Sequence, residues 1–398
     1  MAGVRGTGEI GAGPVFGQPT RSINWKEEGV RRAGSERLPA LDAARGLAIL
    51  AVVALHGLYS GPSAKVPGLV WHLVYTLSAV RMPLLLLVSG FLSAGIIADP
   101  RRAVPRVTNF VWLYLLWSLL SYPLEYHTAL RPPPGLGHAL VAPESYVWFL
   151  AVLALLTAGL ALLSRAGMAV LGLGLLAWHL FASPVNLGWH ALVAFGPFFC
   201  LGALVPAFVH RSLRVGVPTM LVLLGGFLAV RTLASGEVEE VASGLLGCAA
   251  FLPLAGLAAR IPVGGRWLAW LGRRTLPVYL IHTPVLILVR LIAPAGLAWL
   301  ALAALAAVLL PLAIYRARNG LGLRTAFGAP DQLAALMARA WCTTAHWPLP
   351  AMRTTRDLNR PSASGRHHAG QARLTPLGTE TNGRRAVRPR RRSLGSGA

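Results

Sequence analysis

The sequence predicts an all-α protein: a polytopic transmembrane helical bundle of about ten spans with a disordered, basic cytoplasmic tail. Hydrophobic residues make up 55% of the 398 residues and charged residues only 13%, whereas soluble domains carry about 25% charged residues. The mean hydropathy is +0.58. Apolar stretches near the roughly 20 residues that a helix needs to cross a bilayer recur along most of the chain.

The chain divides into three regions. Residues 1–37 are polar, contain no recognisable signal peptide and are expected to form a flexible cytoplasmic lead. Residues 38–316 form the transmembrane domain. Residues 317–398 are rich in Arg, Gly and Pro, and we expect disorder there apart from a short helix near Asp331–Trp341. The predicted spans are 38–59, 69–97, 107–126, 146–163, 168–182, 189–209, 215–233, 241–259, 275–292 and 294–315.

Loop charge predicts the orientation of these spans. With the N-terminus inside, the inner loops hold ten basic residues and the outer connections hold four, in agreement with the positive-inside rule. An even number of spans then places both termini in the cytoplasm. We therefore expect a multi-pass protein of the plasma membrane.

The net charge of +23 does not by itself indicate nucleic-acid binding. Fifteen arginines lie between Arg316 and the C-terminus, and a basic segment beside a membrane span is explained more simply by anionic lipid. The expected partner is the lipid bilayer, with no nucleic acid. The three cysteines are scattered and form neither a disulfide framework nor a CxxC metal motif, so we expect no metal.

The first span carries three ionisable residues on one face. At about 100° per residue, Asp42, Arg45 and His56 point in nearly the same direction. Asp42 and Arg45 could be a solvated helix end in which Asp42 offsets the helix dipole, or part of a functional site. His56 lies roughly 16 Å further along the helix than Arg45. An ionisable group at such a depth in a span usually serves a function.

The second span contains Arg81 near its middle, two residues before Pro83. An arginine at this depth needs a partner, and Asp42 is the only acid in the predicted spans well away from an outer end. A functional pair and a purely structural ion pair explain this equally well. Further along the span, Ser89-Gly90-Phe91 indicates close helix contact, because small residues let two backbones approach.

Several polar residues follow at the predicted membrane surfaces. Arg102 and Arg106 are four residues apart and would share one helix face at the inner surface. There their guanidinium groups could bind phosphate, although the positive-inside rule alone would also place arginines here. His179 and His190 flank an outer loop and could contact a polar substrate, but an interfacial position is the simpler interpretation.

The ninth span begins after Arg273 and Arg274, which lie at the inner surface. Tyr279 and His282 are three residues apart inside it and point roughly to one face.

Together these motifs resemble the acyltransferase-3 family of integral-membrane acyltransferases over residues 38–315. Each motif is weak alone, but five in the family's order are specific. They are L-D-A-A-R-G at 41–46 with His56 eleven positions after Arg45, S-G-F at 89–91, R-x-x-x-R at 102–106, W-F-L at 148–150, and L-G-x-x-x-x-x-x-Y-L-x-H at 271–282. Residues 81–86 read R-M-P-L-L-L, similar to the R-M-P-L-F-F of a branch that resembles fucose 4-O-acetylases, but without its aromatic pair.

The resemblance implies transfer of an acyl group, often acetyl, from cytoplasmic acyl-CoA to a hydroxyl of a carbohydrate, surface glycan or glycolipid. It implies that Arg102 and Arg106, with Arg273, bind the coenzyme A phosphates. His56 would act as general base, since an imidazole titrates near neutral pH, or would carry the acyl group covalently.

The remaining site residues complete the implied catalytic centre. Arg45 or Arg81 would stabilise the developing oxyanion, and Asp42 would orient or neutralise an arginine. Tyr279 and His282 would contact the substrate. Two other functional classes use similar buried charges: a transporter or flippase without covalent chemistry, and an inactive scaffold. The sequence has no matched pair of interrupted helices, which are typical of transporters with inverted repeats, and a scaffold leaves the spacing of Arg45 and His56 unexplained.

Overall fold

The computed structural model describes residues 38–60, 67–128, 135, 137, 146–182, 187–292 and 297–344. Within these ranges the chain is helical and contains no β-strand, which confirms the predicted all-α fold class. The predicted flexible lead, residues 1–37, and the tail from residue 345 onward lie outside the described residues.

The described part of the chain contains thirteen α-helices. Short 3₁₀ turns occur at Ala94–Ile96, Pro100–Arg102 and Arg324–Ala326. In chain order the helices are α1 (Pro39–Ser60), α2 (Gly68–Ser93), α3 (Ala103–Thr128), α4 (Trp148–Leu162), α5 (Arg165–Phe181), α6 (Leu187–Leu204), α7 (Pro206–Leu213), α8 (Val217–Leu233), α9 (Glu237–Ala259), α10 (Gly264–Gly272), α11 (Thr275–Ile292), α12 (Leu297–Ala317) and α13 (Asp331–Thr344).

Nine of the ten predicted spans each overlap one of these helices, whereas the span 189–209 covers α6 and the first turn of α7. By length and composition, five helices in the described residues can cross a membrane, or seven if each of two bent pairs forms one span. The bends are 85° between α6 and α7 and 83° between α10 and α11. Helices α4, α5 and α8 are apolar but shorter, so the total of ten spans remains a prediction.

Helix α1 lies at the centre of the bundle. It packs against α2, α9, α10, α11 and α12, and Ala44 and Val52 on α1 are fully buried. Because five helices surround α1, the polar residues of its charged face are held against neighbouring helices.

The closest helix contacts are made by glycines. On α2, the Cα of Gly90 lies against the backbone of Phe199 in α6, and Gly202 of α6 lies against the backbone of Leu87 in α2. A Cβ atom at either glycine would collide with the opposing carbonyl group. The close contact expected at Ser89-Gly90-Phe91 is therefore confirmed, because glycine lets the two backbones touch.

A second pair of glycines joins α1 to α10. Gly46 of α1 lies against the backbone of Leu268, and Gly272 at the end of α10 lies against the backbone of Asp42. This contact fixes the start of α11 beside the first turns of α1. From there the polar residues of α11 can meet those of α1.

The C-terminal segment corrects one expectation. The short helix predicted near Asp331–Trp341 is present as α13 and packs against α3. The residues before it are also held in place: the indole N–H of Trp112 donates to Thr325 O and that of Trp117 donates to Ala326 O, both at 2.8 Å. Residues 317–344 are thus packed on the bundle, and not disordered as expected.

Candidate active site

Two histidines from different helices meet inside the bundle. Nδ1 of His56, in the penultimate turn of α1, lies 2.8 Å from Nε2 of His282 in α11. The two rings are nearly parallel, with 17° between their planes and 5.0 Å between their centres. His282 is fully buried, whereas His56 is only partly buried. A substrate can therefore reach His56 more easily than His282.

The backbone of α11 determines which nitrogen carries the proton. Nδ1 of His282 lies 2.7 Å from Tyr279 O and 3.2 Å from Val278 O. A carbonyl oxygen can only accept, so His282 Nδ1 is protonated and, in the neutral ring, Nε2 is an acceptor. His56 Nδ1–H then donates to His282 Nε2. In neutral His56 the lone pair is on Nε2, which can take a proton.

Aromatic and hydroxyl groups surround the histidine pair. Tyr146 packs edge-on against His282, with 5.6 Å between the ring centres. The Tyr146 hydroxyl donates to Leu280 O at 2.7 Å, and the Tyr279 hydroxyl donates to Tyr146 O. Thr283 Oγ1 lies 3.1 Å from His282 Nε2. These hydrogen bonds hold α11 against the residues that precede α4, and so fix the position of His282.

Arg81 lies beside this pair. Its guanidinium group interacts electrostatically with both His56 and His282 and with Tyr59 and Tyr279. Its Nε and Nη1 atoms are buried and form no hydrogen bond to any described residue. Buried guanidinium nitrogens without hydrogen bonds are costly, and these two can donate to an anionic or carbonyl group.

The predicted partnership between Arg81 and Asp42 is wrong. Asp42 Oδ2 instead lies 3.4 Å from Nη1 of Arg273, at the end of α10. Arg45 donates from Nη2 to Thr275 Oγ1 at 2.9 Å. The physical reason is the close packing of α10 on α1, which brings residues 273–275 beside the first turns of α1. Asp42 and Arg45 therefore belong to the start of α1, roughly 21 Å and 16 Å along the helix from His56.

Arg102 and Arg106 both lie at the turn between α2 and α3. Arg102 Nε pairs with Asp99 Oδ2 at 3.1 Å, and its side chain is largely exposed. Arg106 donates from Nη1 to Ser93 Oγ at 3.1 Å and to Leu92 O at 3.3 Å, so it closes the C-terminal end of α2. Each guanidinium group keeps further N–H groups that can bind a phosphate.

A groove of about 710 Å³ opens beside α10 and the start of α1. Arg266 and Arg273 provide positive charge in its lining, and Trp267 and Trp270 provide aromatic faces. Such a combination suits a phosphate attached to a planar heterocycle. The groove lining includes Arg273 but neither Arg102 nor Arg106, so these three arginines belong to two basic regions.

Sequence reasoning identified both histidines but did not pair them. It placed His56 with Arg45, which the helical spacing supports, and assigned His282 to substrate contact. The pairing depends on the bend between α10 and α11, which single-helix periodicity does not predict. The signal that pointed to it was the Y-L-x-H segment, since a histidine inside a span requires a polar partner. Thr275 and the groove beside α10 had no such signal.

Comparison with known proteins identifies the family of the chain. The sequence model of the acyltransferase-3 acyltransferase domain matches residues 38–316, which begin with α1 and end within the last turn of α12. No curated protein and no solved structure matches the chain. The family match includes both histidines, Arg81 and the arginines of both basic regions. The chain is a member of the acyltransferase-3 family of membrane acyltransferases.

Proposed function

We propose that the protein is an O-acyltransferase that moves an acyl group, commonly acetyl, from cytoplasmic acyl-CoA to a hydroxyl of a carbohydrate, surface glycan or glycolipid. One observation carries the proposal: the hydrogen-bonded chain from Tyr279 O through His282 to His56, with Arg81 beside it. The family supports the acyl transfer, and the polar pair inside an apolar bundle supports chemistry at this point.

His56 is the general base in this reaction. Its Nε2 removes the proton of the acceptor hydroxyl while the hydroxyl oxygen forms a bond to the thioester carbonyl carbon. His282 accepts a hydrogen bond from His56 Nδ1–H and thereby stabilises the imidazolium that forms, as the third member of a catalytic triad does. When the C–S bond breaks, His56 returns the proton to the departing thiolate.

Arg81 stabilises the oxyanion of the tetrahedral intermediate. Its buried Nε and Nη1 groups are available without breaking an existing hydrogen bond. A donor of this kind lowers the barrier by about 3–4 kcal/mol in a site without water. Arg45, which is hydrogen-bonded to Thr275 and lies roughly 16 Å from His56 along α1, has a positioning role in this proposal.

The two basic regions are candidates for the coenzyme A moiety. The groove beside α10 offers Arg273 and Arg266 with two tryptophans. The other region has Arg102 just before α3 and Arg106 in the first turn of α3. By the predicted orientation both regions face the cytoplasm of a plasma-membrane protein whose termini are also cytoplasmic. Tyr279, whose hydroxyl bonds to Tyr146 O, would contribute its ring to the substrate cavity and not its hydroxyl.

The test is transfer of a labelled acetyl group from acetyl-CoA in nanodiscs to lipid-linked or soluble glycans. His56→Ala should retain acyl-CoA binding but lose roughly 10²–10⁴-fold in turnover. His56→Gln should be nearly as inactive, because the amide does not take a proton. Arg106→Ala should instead raise KM for acyl-CoA more than it lowers kcat. The matched control is His72→Ala, since His72 is an exposed histidine of α2.

Two outcomes would contradict the proposal. An active His56→Ala enzyme would exclude His56 as the base. Vectorial movement of a glycan or lipid without transfer of label would favour the transporter class. A labelled acyl group bound covalently to His56 in single-turnover samples would replace the general-base mechanism with the acyl-carrier mechanism.

A further inference from the structure

A second polar cluster lies away from the histidine pair, where three helices meet. His179 in the last turn of α5, His190 in α6 and Glu240 in the first turn of α9 come together. One ligand atom from each residue lies within 4.8 Å of the other two. The rings of His179 and His190 are 5.6 Å apart between centres. None of these residues takes part in the proposed acyl transfer.

His179 points an unsatisfied nitrogen into this cluster. Its side chain is only 2% exposed, and its Nε2 atom is buried without a hydrogen bond to any described residue. An uncompensated buried nitrogen is costly. Its ion-pair partner, Glu240 Oε2, is 3.5 Å away, which is too long for a good hydrogen bond.

The same separation suits a metal ion between the two atoms. Nitrogen and carboxylate ligands bind Zn²⁺ at about 2.0–2.2 Å with tetrahedral geometry, so two ligand atoms stand roughly 3.3–3.5 Å apart. The distance from His179 to Glu240 lies at this value. A metal would satisfy the buried nitrogen and neutralise the carboxylate at once.

The other charged groups nearby leave the carboxylate of Glu240 available to bind a metal ion. Glu239 is paired with Arg231, which also lies over the ring of Tyr75. Glu237, one turn earlier, is close enough to interact electrostatically with His179. Among the described residues, the ion pair recorded for Glu240 is the one to His179. The helix dipole favours glutamates in the first turn of α9, but it does not explain two histidines from other helices.

We propose that His179, His190 and Glu240 bind a divalent transition-metal ion, with Zn²⁺ as the expected metal. Two imidazoles and one carboxylate are typical zinc ligands, and three protein ligands leave a fourth position for water. Glu240 is 35% exposed at its side chain, which gives the ion a route of entry. The bound ion links α5, α6 and α9, so it should stabilise the folded bundle.

The experiment uses the full chain, purified without a histidine tag in detergent and stripped with a chelator. His367 and His368 are adjacent in the tail and are both replaced by alanine in every sample, so that they do not compete. Zn²⁺ is titrated against a chromophoric chelator, and Co²⁺ is added separately to read the coordination geometry. We expect one ion per chain, a tetrahedral Co²⁺ spectrum and a higher thermal midpoint with Zn²⁺.

Variants assign the ligands. His179→Ala and Glu240→Gln should each weaken Zn²⁺ binding by about 100-fold or more, since loss of a supporting residue alone costs 10–100-fold. His72→Ala, the matched control, should bind as tightly as the parent. If His179→Ala does not accumulate, the partly exposed His190 and Glu240 carry the test as His190→Gln and Glu240→Gln. Absence of micromolar Zn²⁺ binding in the parent, or equal binding in all variants, would overturn the proposal.

Discussion

At the scale of single residues, the site depends on a proton position fixed by the backbone. Because Tyr279 O accepts from His282 Nδ1, the neutral His282 can only accept from His56, and this leaves the basic nitrogen of His56 on the opposite side of its ring. In the proposed mechanism a neutral histidine takes the place of the carboxylate of a catalytic triad. It adds no further charge to an apolar bundle in which buried charge is costly.

Arg81 provides the first prediction. Arg81→Met removes a buried guanidinium group with two unsatisfied nitrogen atoms, so we expect activity to fall by about 10²–10³-fold while the thermal midpoint stays equal or rises. Functional sites commonly show such a trade between stability and activity. The measurements are single-turnover acyl transfer and thermal unfolding in the same detergent.

Arg81→Lys separates charge from geometry in this experiment. An ammonium group keeps the positive charge but lacks the planar arrangement of donors, so it should restore only part of the activity. A Met variant that loses stability together with activity would show that Arg81 is structural. Full activity in the Met variant would exclude a role in oxyanion stabilisation.

Only part of this site could be predicted from the sequence. Helical periodicity placed Asp42, Arg45 and His56 on one face, and that face is the one that meets α10 and α11. Periodicity carries no information on how far one helix is shifted along another. For that reason Asp42 was assigned to Arg81, and His282 was not assigned to His56.

At the scale of helices, the shift between α1 and α11 is set by the short helix α10. Gly46 and Gly272 let α10 touch α1 backbone to backbone, and the chain then bends by 83° into α11. His282 lies seven residues after Thr275, which is roughly 10 Å along α11. This length carries His282 from the level of Arg45 towards that of His56.

Gly46→Ala tests this dependence. Its Cβ would collide with the carbonyl group of Leu268, which is backbone and not a flexible side chain. We expect a loss of about 1–3 kcal/mol in stability from overpacking and a larger loss of turnover, because α11 shifts with α10. Unfolding by denaturant in detergent and the acyl-transfer assay measure the two effects.

The control for Gly46 is Gly225→Ala, in the interior of α8. No atom lies within 4 Å of a Cβ built at Gly225, and alanine is the better helix former. This variant should be at least as stable as the parent and fully active. Equal behaviour of the two variants would show that the contact between α1 and α10 does not set the geometry of the site.

The segment after α12 gives another prediction at this scale. Truncation after Asn319 removes α13 and the two carbonyl groups that accept from Trp112 and Trp117. Two buried or part-buried indole groups then lose their partners, so we expect a lower thermal midpoint and reduced activity. Truncation after Thr344 retains these contacts and should be tolerated. A truncation at Asn319 that is as stable as the full chain would contradict this.

Hydropathy located the helices well because lipid requires every backbone group in a span to bond within its own helix. It did not locate α7 and α10, which are short, amphipathic and bent away from their neighbours. Helix α7 follows Leu204, and α10 precedes Thr275. In the sequence, neither segment is separated clearly from the charged loop and the apolar span beside it. The basic composition of residues 317–344 likewise favoured a disordered tail and gave no sign that α13 packs on α3.

At the scale of the whole molecule, the proposed reaction binds its donor at one place and carries out the chemistry at another. Arg273 in the groove beside α10 pairs with Asp42 in the first turn of α1, and His56 lies near the other end of the same helix. The distance along α1 is roughly 20 Å. In the proposed reaction a donor bound at the groove has to extend its thioester along the central helix, so one helix connects both parts of the substrate path.

The orientation of the chain decides which end of α1 faces the cytoplasm, and it gives the last prediction. The basic residues of α7 and α10, including Arg211 and Arg266, are expected inside, whereas the acidic first turn of α9 is expected outside. Reporter fusions after Asp99 and Ser212 should therefore report the cytoplasm, and a fusion after Glu237 should report the outer side. Enzyme activity of paired reporters that work only inside or only outside measures this directly.

The result also bears on both proposed sites. If Glu237 is outside, the metal cluster of His179, His190 and Glu240 receives its ion from the outer compartment, while the groove with Arg273 meets acyl-CoA in the cytoplasm. An outer location for Asp99 and Ser212 would place the groove on the side without acyl-CoA. That outcome would contradict the donor assignment even if the histidine pair proved essential, because the donor would then have no route to Arg273.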